Sequence, residues 1–371
     1  MKIGIDTFGC RHGRSGLGSY LFSLVSHLPD LEDVQYELFG APIDRYTYSS
    51  EKPVPFTSVR LMDTKYALRL WHCIGLNSFA SKQKYDAVFY ISASHMLPTV
   101  FKVPGIALVN DCLSAAFISK KNRIHCNHIL NALKNSSKII TPSQFICNDL
   151  KNLGIEKSKI EVIYTGINHS AFYPHPIYDS DTVNIKPFAI KRPYLIYSTR
   201  LNSFSKKHVE LIKAFTIFKE KTHLPHRLVI TGGDDVCMAA IQEAVRKSSV
   251  RSDIFMTGFF PPEGFGDLYS GADACIFPAV NEGVGLPAIE AMATGIPVAC
   301  ADSGALREIT GGNALFFDPD NIDQFADSIE RVVTERELRE KLIAMGIDWT
   351  RRFQWQQTAE KTVEAIRTCL Q

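Results

Sequence analysis

Residues 281–293 read Asn281-Glu-Gly-Val-Gly-Leu-Pro-Ala-Ile-Glu290-Ala-Met-Ala293. The glycines make a flexible loop, and Pro287 suits the first position of a helix. Glu290 is then expected in the first helical turn, where free N–H groups favour a carboxylate, whereas Glu282 stands on the loop. We expect both carboxylates to face one cleft above a strand end, the place where open α/β sheets bind ligands.

Apolar strands and amphipathic helices alternate on both sides of this stretch, a pattern typical of parallel, doubly wound sheets. The strands predicted in the second half are Tyr194–Ser198, Arg227–Thr231, Ile254–Thr257, Ala274–Phe277 and Pro297–Ala301. Those predicted in the first half are Lys2–Asp6, Ala87–Ile91, Gly105–Val109, Lys138–Thr141 and Ile160–Tyr164. A glycine turn over Gly13–Gly18 follows the first strand, and a helix is predicted over Ser19–Leu28.

The alternation lapses between residues 173 and 193, which are rich in proline and have no sustained period. We therefore predict an α/β protein of two Rossmann-like domains that face each other across a cleft. Residues 1–172 form the first domain, 173–193 the linker and 194–349 the second domain. Residues 350–371 form a tail.

Composition favours a globular protein: 45% of the 371 residues are hydrophobic and 22% are charged. No apolar run is long enough to cross a bilayer and no signal peptide is recognisable, so a cytoplasmic location is expected. The nine cysteines are scattered without a C-x-x-C pair, which indicates buried thiols. Residues 1–175 carry 19 Lys/Arg and 13 Asp/Glu, a net +6, too dispersed to predict nucleic-acid binding but suited to an anionic acceptor or a phospholipid surface.

The second half resembles the GT4 family of retaining glycosyltransferases, which have the GT-B fold. The resemblance rests on Ser198-Thr-Arg200-Leu, Lys206, Leu228-Val-Ile-Thr-Gly-Gly233 and the long motif from Phe277 to Val298. It covers most of residues 194–335. In the first half it is patchier and depends on the glycine turn, Asp111 and two short motifs at residues 141–143 and 166–168.

The resemblance implies a role for each charged residue. Arg200 and Lys206 would neutralise a diphosphate leaving group, a role that two cations near a strand end can perform. Glu282 would bind the donor sugar and Glu290 the ribose hydroxyls, since an ionised carboxylate accepts two hydroxyl hydrogens. For each pair the alternative is a solvated or helix-capping side chain.

Backbone N–H groups are expected to bind the donor phosphates and sugar at two glycine-led helix starts. One is formed by Gly283, Val284, Gly285 and Leu286. The other is the turn that contains Gly16 and Gly18, which is equally consistent with a tight turn between strand and helix.

On the acceptor side, the candidates are His95, Asn110 and Asp111. Many relatives have a His-Asp pair where this chain has Asn110-Asp111. Asparagine can bond a sugar hydroxyl but cannot take a proton. This departure fits a same-face mechanism, in which the leaving phosphate accepts the acceptor's proton. The alternative for His95 is a structural histidine whose hydrogen bonds are satisfied within the protein.

No metal or other cofactor is expected. Two D-x-D patterns, Asp179-Ser-Asp181 and Asp318-Pro-Asp320, resemble the metal motif of another glycosyltransferase fold. The first falls in the linker, and in the second Asp320 or Asn321 is a natural helix N-cap. The aromatic residues Trp349, Phe353 and Trp355 are expected to anchor the tail on the first domain.

The expected function is transfer of a hexose from a nucleotide diphosphate sugar, with GDP-mannose favoured, to a hydroxyl of a saccharide or lipid-linked acceptor in surface polysaccharide synthesis. Contact with the inner face of a membrane through the basic first half is expected as well. Two alternatives remain open: a catalytically silent scaffold of a glycosylation complex, and a nucleotide-sugar epimerase.

Overall fold

The computed structural model describes residues 1–49, 52–118, 123–175, 182–233 and 236–370. The chain divides into two compact units. Unit 1 comprises Met1–Gly166 and Phe353–Gln371, and unit 2 comprises Ile167–Arg352. None of the helices in these described ranges is both long and apolar enough to span a membrane. The nine cysteines are free, five of them are buried, and Cys73 is exposed rather than buried as predicted.

Unit 1 contains a parallel sheet of seven strands, in the order β3-β2-β1-β4-β5-β6-β7. The strands are β1 Lys2–Asp6, β2 Gln35–Gly40, β3 Phe56–Ser58, β4 Ala87–Tyr90, β5 Gly105–Leu108, β6 Lys138–Thr141 and β7 Ile160–Val162. Its helices are α1 Gly16–Ser26, α2 Asp44–Tyr48, α3 Lys65–Ile74, α4 Leu76–Lys82, α5 Leu113–Ile118, α6 Arg123–Asn135 and α7 Gln144–Asn152. Buried aliphatic residues fill the layers between this sheet and its helices.

Unit 2 contains a two-stranded antiparallel sheet, β8-β9, and a six-stranded parallel sheet in the order β12-β11-β10-β13-β14-β15. The strands are β8 Thr182–Ile185, β9 Phe188–Lys191, β10 Tyr194–Ser198, β11 Arg227–Thr231, β12 Ile254–Gly258, β13 Ala274–Phe277, β14 Val298–Ala301 and β15 Leu315–Phe317. The helices are α8 His208–Thr222, α9 Met238–Lys247, α10 Phe265–Ser270, α11 Leu286–Ala293, α12 Leu306–Ile309, α13 Ile322–Thr334 and α14 Arg336–Thr350.

The boundary between the units differs from the predicted one. The chain divides after Gly166 instead of residue 172, and part of the predicted linker forms β8 and β9 within unit 2. Ile185 and Ile190 of this hairpin are buried, so the segment has an apolar face in spite of its prolines. Two residues that the D-x-D prediction named, Asp179 and Asp181, lie outside the described residues.

The last helix, α15 Trp355–Arg367, belongs to unit 1. The Trp355 ring lies edge-on to Tyr20 of α1, with 5.4 Å between ring centroids. A Cβ atom at Gly166 would lie 2.3 Å from the Trp355 backbone nitrogen, so only glycine fits there. Phe353 contacts Tyr164 in the same unit, whereas Trp349 donates a hydrogen bond to the Ile309 carbonyl in unit 2. Trp349 is therefore part of unit 2 and does not anchor the tail on the first domain.

Candidate functional site

The sheet of unit 2 reverses its strand order between β10 and β13, and the loops after these two strands are neighbours at its carboxyl edge. Such a reversal leaves a crevice in which α/β proteins bind ligands. Arg200 follows β10 closely, and Glu282 lies in the loop after β13. Arg200 is exposed, and it forms no ion pair with any residue of the described ranges.

Lys206 and Glu282 form an ion pair that joins these two loops. The Lys206 Nζ lies 2.5 Å from the Glu282 Oε2, and the side chains are 21% and 18% exposed. The Tyr197 hydroxyl at the end of β10 donates a 2.8 Å hydrogen bond to the Lys206 carbonyl, and the Val280 N–H donates one of 2.8 Å to Ser205. Lys206 is thus held at the point where the strand order reverses, the switch point, by a hydrogen bond to its backbone and by its ion pair with Glu282.

The backbone around Glu282 is fixed by unusual conformations. Asn281 has φ 58° and Gly285, at the N-cap of α11, has φ 67°. The Ala305 N–H donates a 2.8 Å hydrogen bond to the Glu282 carbonyl. A Cβ atom at Gly304, where φ is 64°, would lie 2.6 Å from that carbonyl oxygen, so the loop can approach only a glycine here.

Glu290 is not in the first turn of its helix, as the sequence analysis expected. Helix α11 begins at Leu286, one residue before Pro287, and its first turn holds no acidic residue. The helix start therefore does not stabilise this carboxylate. Instead burial raises the pKa of Glu290 to about 7, since desolvation disfavours the charged form.

The Glu290 carboxyl group accepts no side-chain or backbone hydrogen bond from the described residues. Its charge raises the pKa values of Tyr269 and Cys275, although burial is the larger cause for both, so the carboxyl lies near α10 and β13. A partly buried carboxyl without hydrogen-bond donors is unfavourable by itself. It can be satisfied by a ligand that supplies hydroxyl hydrogens.

In unit 1 the glycine turn is part of helix α1. Gly16 is the first helical residue, and the Ser15 hydroxyl caps the helix by accepting a 3.1 Å hydrogen bond from the Gly18 N–H. A Cβ atom at Gly18 would lie 2.5 Å from the Cys10 carbonyl oxygen, whereas no atom lies within 4 Å of one at Gly16. Gly18 is therefore required by packing, and only Gly16 leaves open space beside the helix start.

A buried ion pair at the end of β1 was missed by the sequence analysis. The His72 Nε2 lies 2.7 Å from the Asp6 Oδ2, and its Nδ1 lies 2.7 Å from the Leu68 carbonyl oxygen. Both ring nitrogens face oxygen atoms, which favours the doubly protonated ring. Burial opposes this charge, but the charge and hydrogen bond of Asp6 outweigh it and raise the pKa of His72. The sequence features that could have indicated this pair are Asp6 at the end of β1 and His72, one helical turn after Leu68 on α3.

Asp44 forms a second polar contact beside the glycine turn. It accepts a 2.6 Å hydrogen bond from the Thr7 hydroxyl, and its other oxygen lies 2.6 Å from the His12 Nδ1. The Tyr48 hydroxyl accepts a 2.8 Å hydrogen bond from the Gly13 N–H. Helix α2 thus holds the turn in place from the side of β2.

The three acceptor-side candidates lie after the neighbouring strands β4 and β5. The structure brings His95 and Asp111 together, with the His95 Nε2 3.5 Å from the Asp111 Oδ2 and both side chains more than half exposed. The Asn110 Oδ1 is buried and has no hydrogen-bond partner among the described residues. An exposed His-Asp pair and an unsatisfied amide oxygen therefore occupy this edge of the unit 1 sheet.

Two family models match consecutive parts of the chain. One, described as Glycosyltransferase Family 4, matches residues 14–171, and the other, described as Glycosyl transferases group 1, matches residues 181–349. The chain belongs to glycosyltransferase family 4. The predicted family is thereby confirmed.

This family 4 chain is 28% identical over 161 residues to the O-antigen chain mannosyltransferase B of Escherichia coli. That match covers 42% of the chain and 41% of the relative. The chain spans 41%, 64% and 41% of the length of this relative and two further curated relatives.

Solved structures of similar fold cover nearly the whole family 4 chain. The sucrose-phosphate synthase of Thermosynechococcus elongatus has a TM-score of 0.76 at 18% identity, with 99% of this chain and 98% of that chain covered. Anabaena HepE, in complex with UDP and glucose, has a TM-score of 0.76 at 16% identity, with 99% and 100% covered. The predicted GT-B fold of two Rossmann-like domains is confirmed.

The second D-x-D pattern is structural. Asn321 is the N-cap of α13 and accepts a 3.1 Å hydrogen bond from the Gln324 N–H, and Asp320 pairs with Lys207 at 2.5 Å. Within the ranges that the structure describes, His, Cys, Asp and Glu form no group of three that could hold a metal ion.

Proposed function

We propose that this chain is a retaining glycosyltransferase that moves a hexose from a nucleotide diphosphate sugar to a hydroxyl group of a saccharide or lipid-linked acceptor. The observation that carries the proposal is the arrangement at the carboxyl edge of the unit 2 sheet. Arg200, which has no ion pair in the described ranges, the Lys206–Glu282 ion pair and the partly buried Glu290 all belong to elements that begin or end at this edge.

The two cations suit the diphosphate. Guanidinium and ammonium groups bind phosphate oxygens, and together they would neutralise the charge that develops as the diphosphate leaves. In the free protein Lys206 is neutralised by Glu282. When a donor binds, Lys206 would turn to the diphosphate, and Glu282 would be released to accept hydrogen bonds from sugar hydroxyls. Glu290 would accept the two ribose hydroxyls.

The reaction would proceed on one face of the sugar. The acceptor oxygen forms a bond to the anomeric carbon as the bond from that carbon to the diphosphate oxygen breaks. The acceptor's proton passes to a phosphate oxygen of the leaving group, and the nucleoside diphosphate departs. Asn110 fits this route, since an amide can orient a hydroxyl but cannot act as the base. No metal or other cofactor is part of the proposed reaction.

Mannose is the favoured sugar, supported by the E. coli relative, an O-antigen mannosyltransferase. We propose GDP-mannose as the donor and surface polysaccharide synthesis as the setting. HepE, which shares the fold, was solved with UDP and glucose, so UDP-sugars are the alternative donors. The net +6 of residues 1–175 supports a place in the cytoplasm at the inner face of the membrane.

A thermal-shift screen of GDP-mannose, UDP-glucose and UDP-N-acetylglucosamine tests the donor. A ligand at 100 times its dissociation constant stabilises the fold by about 2.7 kcal/mol. Lys206→Met should abolish the shift and donor-dependent transfer or hydrolysis. Lys221→Met is the matched control, because Lys221 pairs with Glu330 of α13 at 2.7 Å, away from the switch point.

The competing function is a catalytically silent scaffold, which Asn110 in place of a proton acceptor leaves open. A protein that binds none of the three donors, and whose cellular role survives Lys206→Met, would be such a scaffold. Binding without transfer or hydrolysis would also favour it.

A further inference from the structure

Unit 1 contains a pocket of about 470 Å³ between α3, the segment after β4 and the first turns of α6. Five of its side chains carry or can carry a positive charge: Arg69, His95, Arg123, His125 and His128. No aspartate or glutamate is among the described residues that line it. The pocket lies beside the carboxyl ends of β4 and β5, on the ligand-binding edge of the sheet.

The two arginines of this pocket, Arg69 and Arg123, are not paired with carboxylates of the described residues. At the rim, His95 lies 3.5 Å from the Asp111 carboxylate. The His125 Nε2 is buried without a hydrogen-bond partner, and burial together with Arg69, His128 and His95 lowers the pKa of this ring to about 4. Burial thus disfavours a charge on this ring, whereas the nearby Arg69 favours an anion over a further cation beside it.

The rest of the pocket is apolar. Met96, Leu97 and Ile129 form its wall, and Ile124 beside Arg123 is 88% exposed. Tyr66, Leu70 and Ile74 form an exposed apolar stripe on α3, since they are spaced at i, i+4 and i+8 and are 61–85% exposed. Arg69 and Cys73 lie next to this stripe on the helix, so the cationic pocket opens beside an uncovered apolar surface.

We propose that this pocket binds the phosphate group of the acceptor, and that the acceptor is a lipid-linked phosphate whose chain lies along the apolar stripe. The inference rests on the proposed function and specifies its acceptor. A guanidinium fork matches two phosphate oxygens, which makes Arg69 and Arg123 the main ligands. The unpartnered His125 Nε2 supplies or accepts one further hydrogen bond, according to its tautomer and the protonation of the phosphate.

The test measures binding in the absence of donor, with three water-soluble probes: geranyl phosphate, geraniol and glucose 1-phosphate. Geranyl phosphate should bind at least about ten-fold more tightly than geraniol, because geraniol lacks the charge-assisted bonds. Arg69→Gln and Arg123→Gln should each weaken geranyl phosphate about ten-fold, and Arg69→Lys should weaken it less. Arg45→Gln, at an exposed arginine on α2, is the matched control and should change nothing.

Three results would overturn the proposal. Equal binding of geraniol and geranyl phosphate, or unchanged affinity for geranyl phosphate in Arg69→Gln and Arg123→Gln, would show that the pocket does not bind the phosphate group. If glucose 1-phosphate binds in a manner that depends on Arg69 and geranyl phosphate does not bind, the ligand of the pocket is a soluble sugar phosphate and not a lipid-linked phosphate. Because the proposed donor site lies in unit 2, a protein that binds geranyl phosphate but none of the donors would refute only the proposed function.

Discussion

Replacing Glu290 by glutamine is the most direct test of the donor site. The carboxyl has an ordinary pKa of 4.5 and a pKa of about 7 in the folded protein, because burial disfavours its charge. The folded state therefore binds a proton that the unfolded state releases between these two values. The contribution of protonated Glu290 to the free energy of unfolding is therefore complete below pH 4.5 and is lost as the pH rises to 7.

The size of this loss follows from the shift. One pKa unit corresponds to 1.36 kcal/mol, so the difference between 4.5 and about 7 costs the wild type about 3 kcal/mol by pH 8. Glutamine has a similar shape and does not titrate. The stability of Glu290→Gln relative to the wild type should thus rise by about 3 kcal/mol between pH 4.5 and pH 8, since other titrations cancel in the difference.

Urea denaturation of both proteins across this pH range measures the effect. Glu263→Gln, at an exposed glutamate before α10, is the control and should track the wild type. A constant difference between Glu290→Gln and the wild type from pH 4.5 to 8 would show that the carboxyl is not desolvated, and the reasoning would fail.

Nucleotide binding should show the opposite trend. To accept two ribose hydroxyls the carboxyl must be ionised, so the affinity of wild type for nucleoside diphosphate should fall roughly eight-fold between pH 7.5 and pH 6. Glu290→Gln should bind weakly, with an affinity that does not depend on this titration. Calorimetric titration at both pH values measures this, and identical pH profiles for the two proteins would exclude a role in ribose binding.

Two further substitutions test the frame around the sites. Gly304→Ala places a Cβ atom 2.6 Å from the Glu282 carbonyl oxygen at φ 64°. It should lower the free energy of unfolding, measured by urea denaturation, by about 2–4 kcal/mol and weaken nucleotide binding. Gly233→Ala is the control, because a Cβ atom there has nothing within 4 Å, and equal stability of the two variants would contradict the steric argument. Asp6→Asn should cost about 3–5 kcal/mol at pH 6, because His72 is left as an uncompensated buried charge. Because the pKa of His72 is raised, the stabilisation by this ion pair is complete below the ordinary histidine pKa and is lost at higher pH. The difference in stability between Asp6→Asn and the wild type should therefore shrink by pH 9. A difference that grows with pH would refute the ion pair.

The sequence predicted best the strands that are buried on both faces. Lys2–Asp6, Tyr194–Ser198 and Ala274–Phe277 were predicted with the bounds that the structure shows, because central parallel strands are nearly continuous apolar runs. Strand β2 was missed because it contains Glu37. That carboxylate is satisfied by Lys2, Thr57 and Tyr85, which are distant in sequence, so no local pattern reveals that a charged residue can be buried there.

The sequence identified the residues of the candidate site better than it predicted how they are arranged. Glycines and proline located the start of α11, but an error of one residue assigned Glu290 to the wrong turn and to the wrong cause of its chemistry. The contact between Lys206 and Glu282 joins two loops that only the strand order makes neighbours. The cationic pocket was represented by His95 alone, because Arg69 and His125 are brought together by the packing of α3 and α6.

Because α15 belongs to unit 1, that unit cannot form all of its contacts until unit 2 has been synthesised. A ribosome releases β1, α1 and the rest of the first segment early, yet Tyr20, Leu21 and Leu24 share a core with residues of α15. That core stays open while all of unit 2 is synthesised. Unit 2 is one continuous segment and can close first. The apolar surface of the earlier segment of unit 1 therefore stays uncovered until α15, which follows unit 2 in the sequence, is available to pack on it.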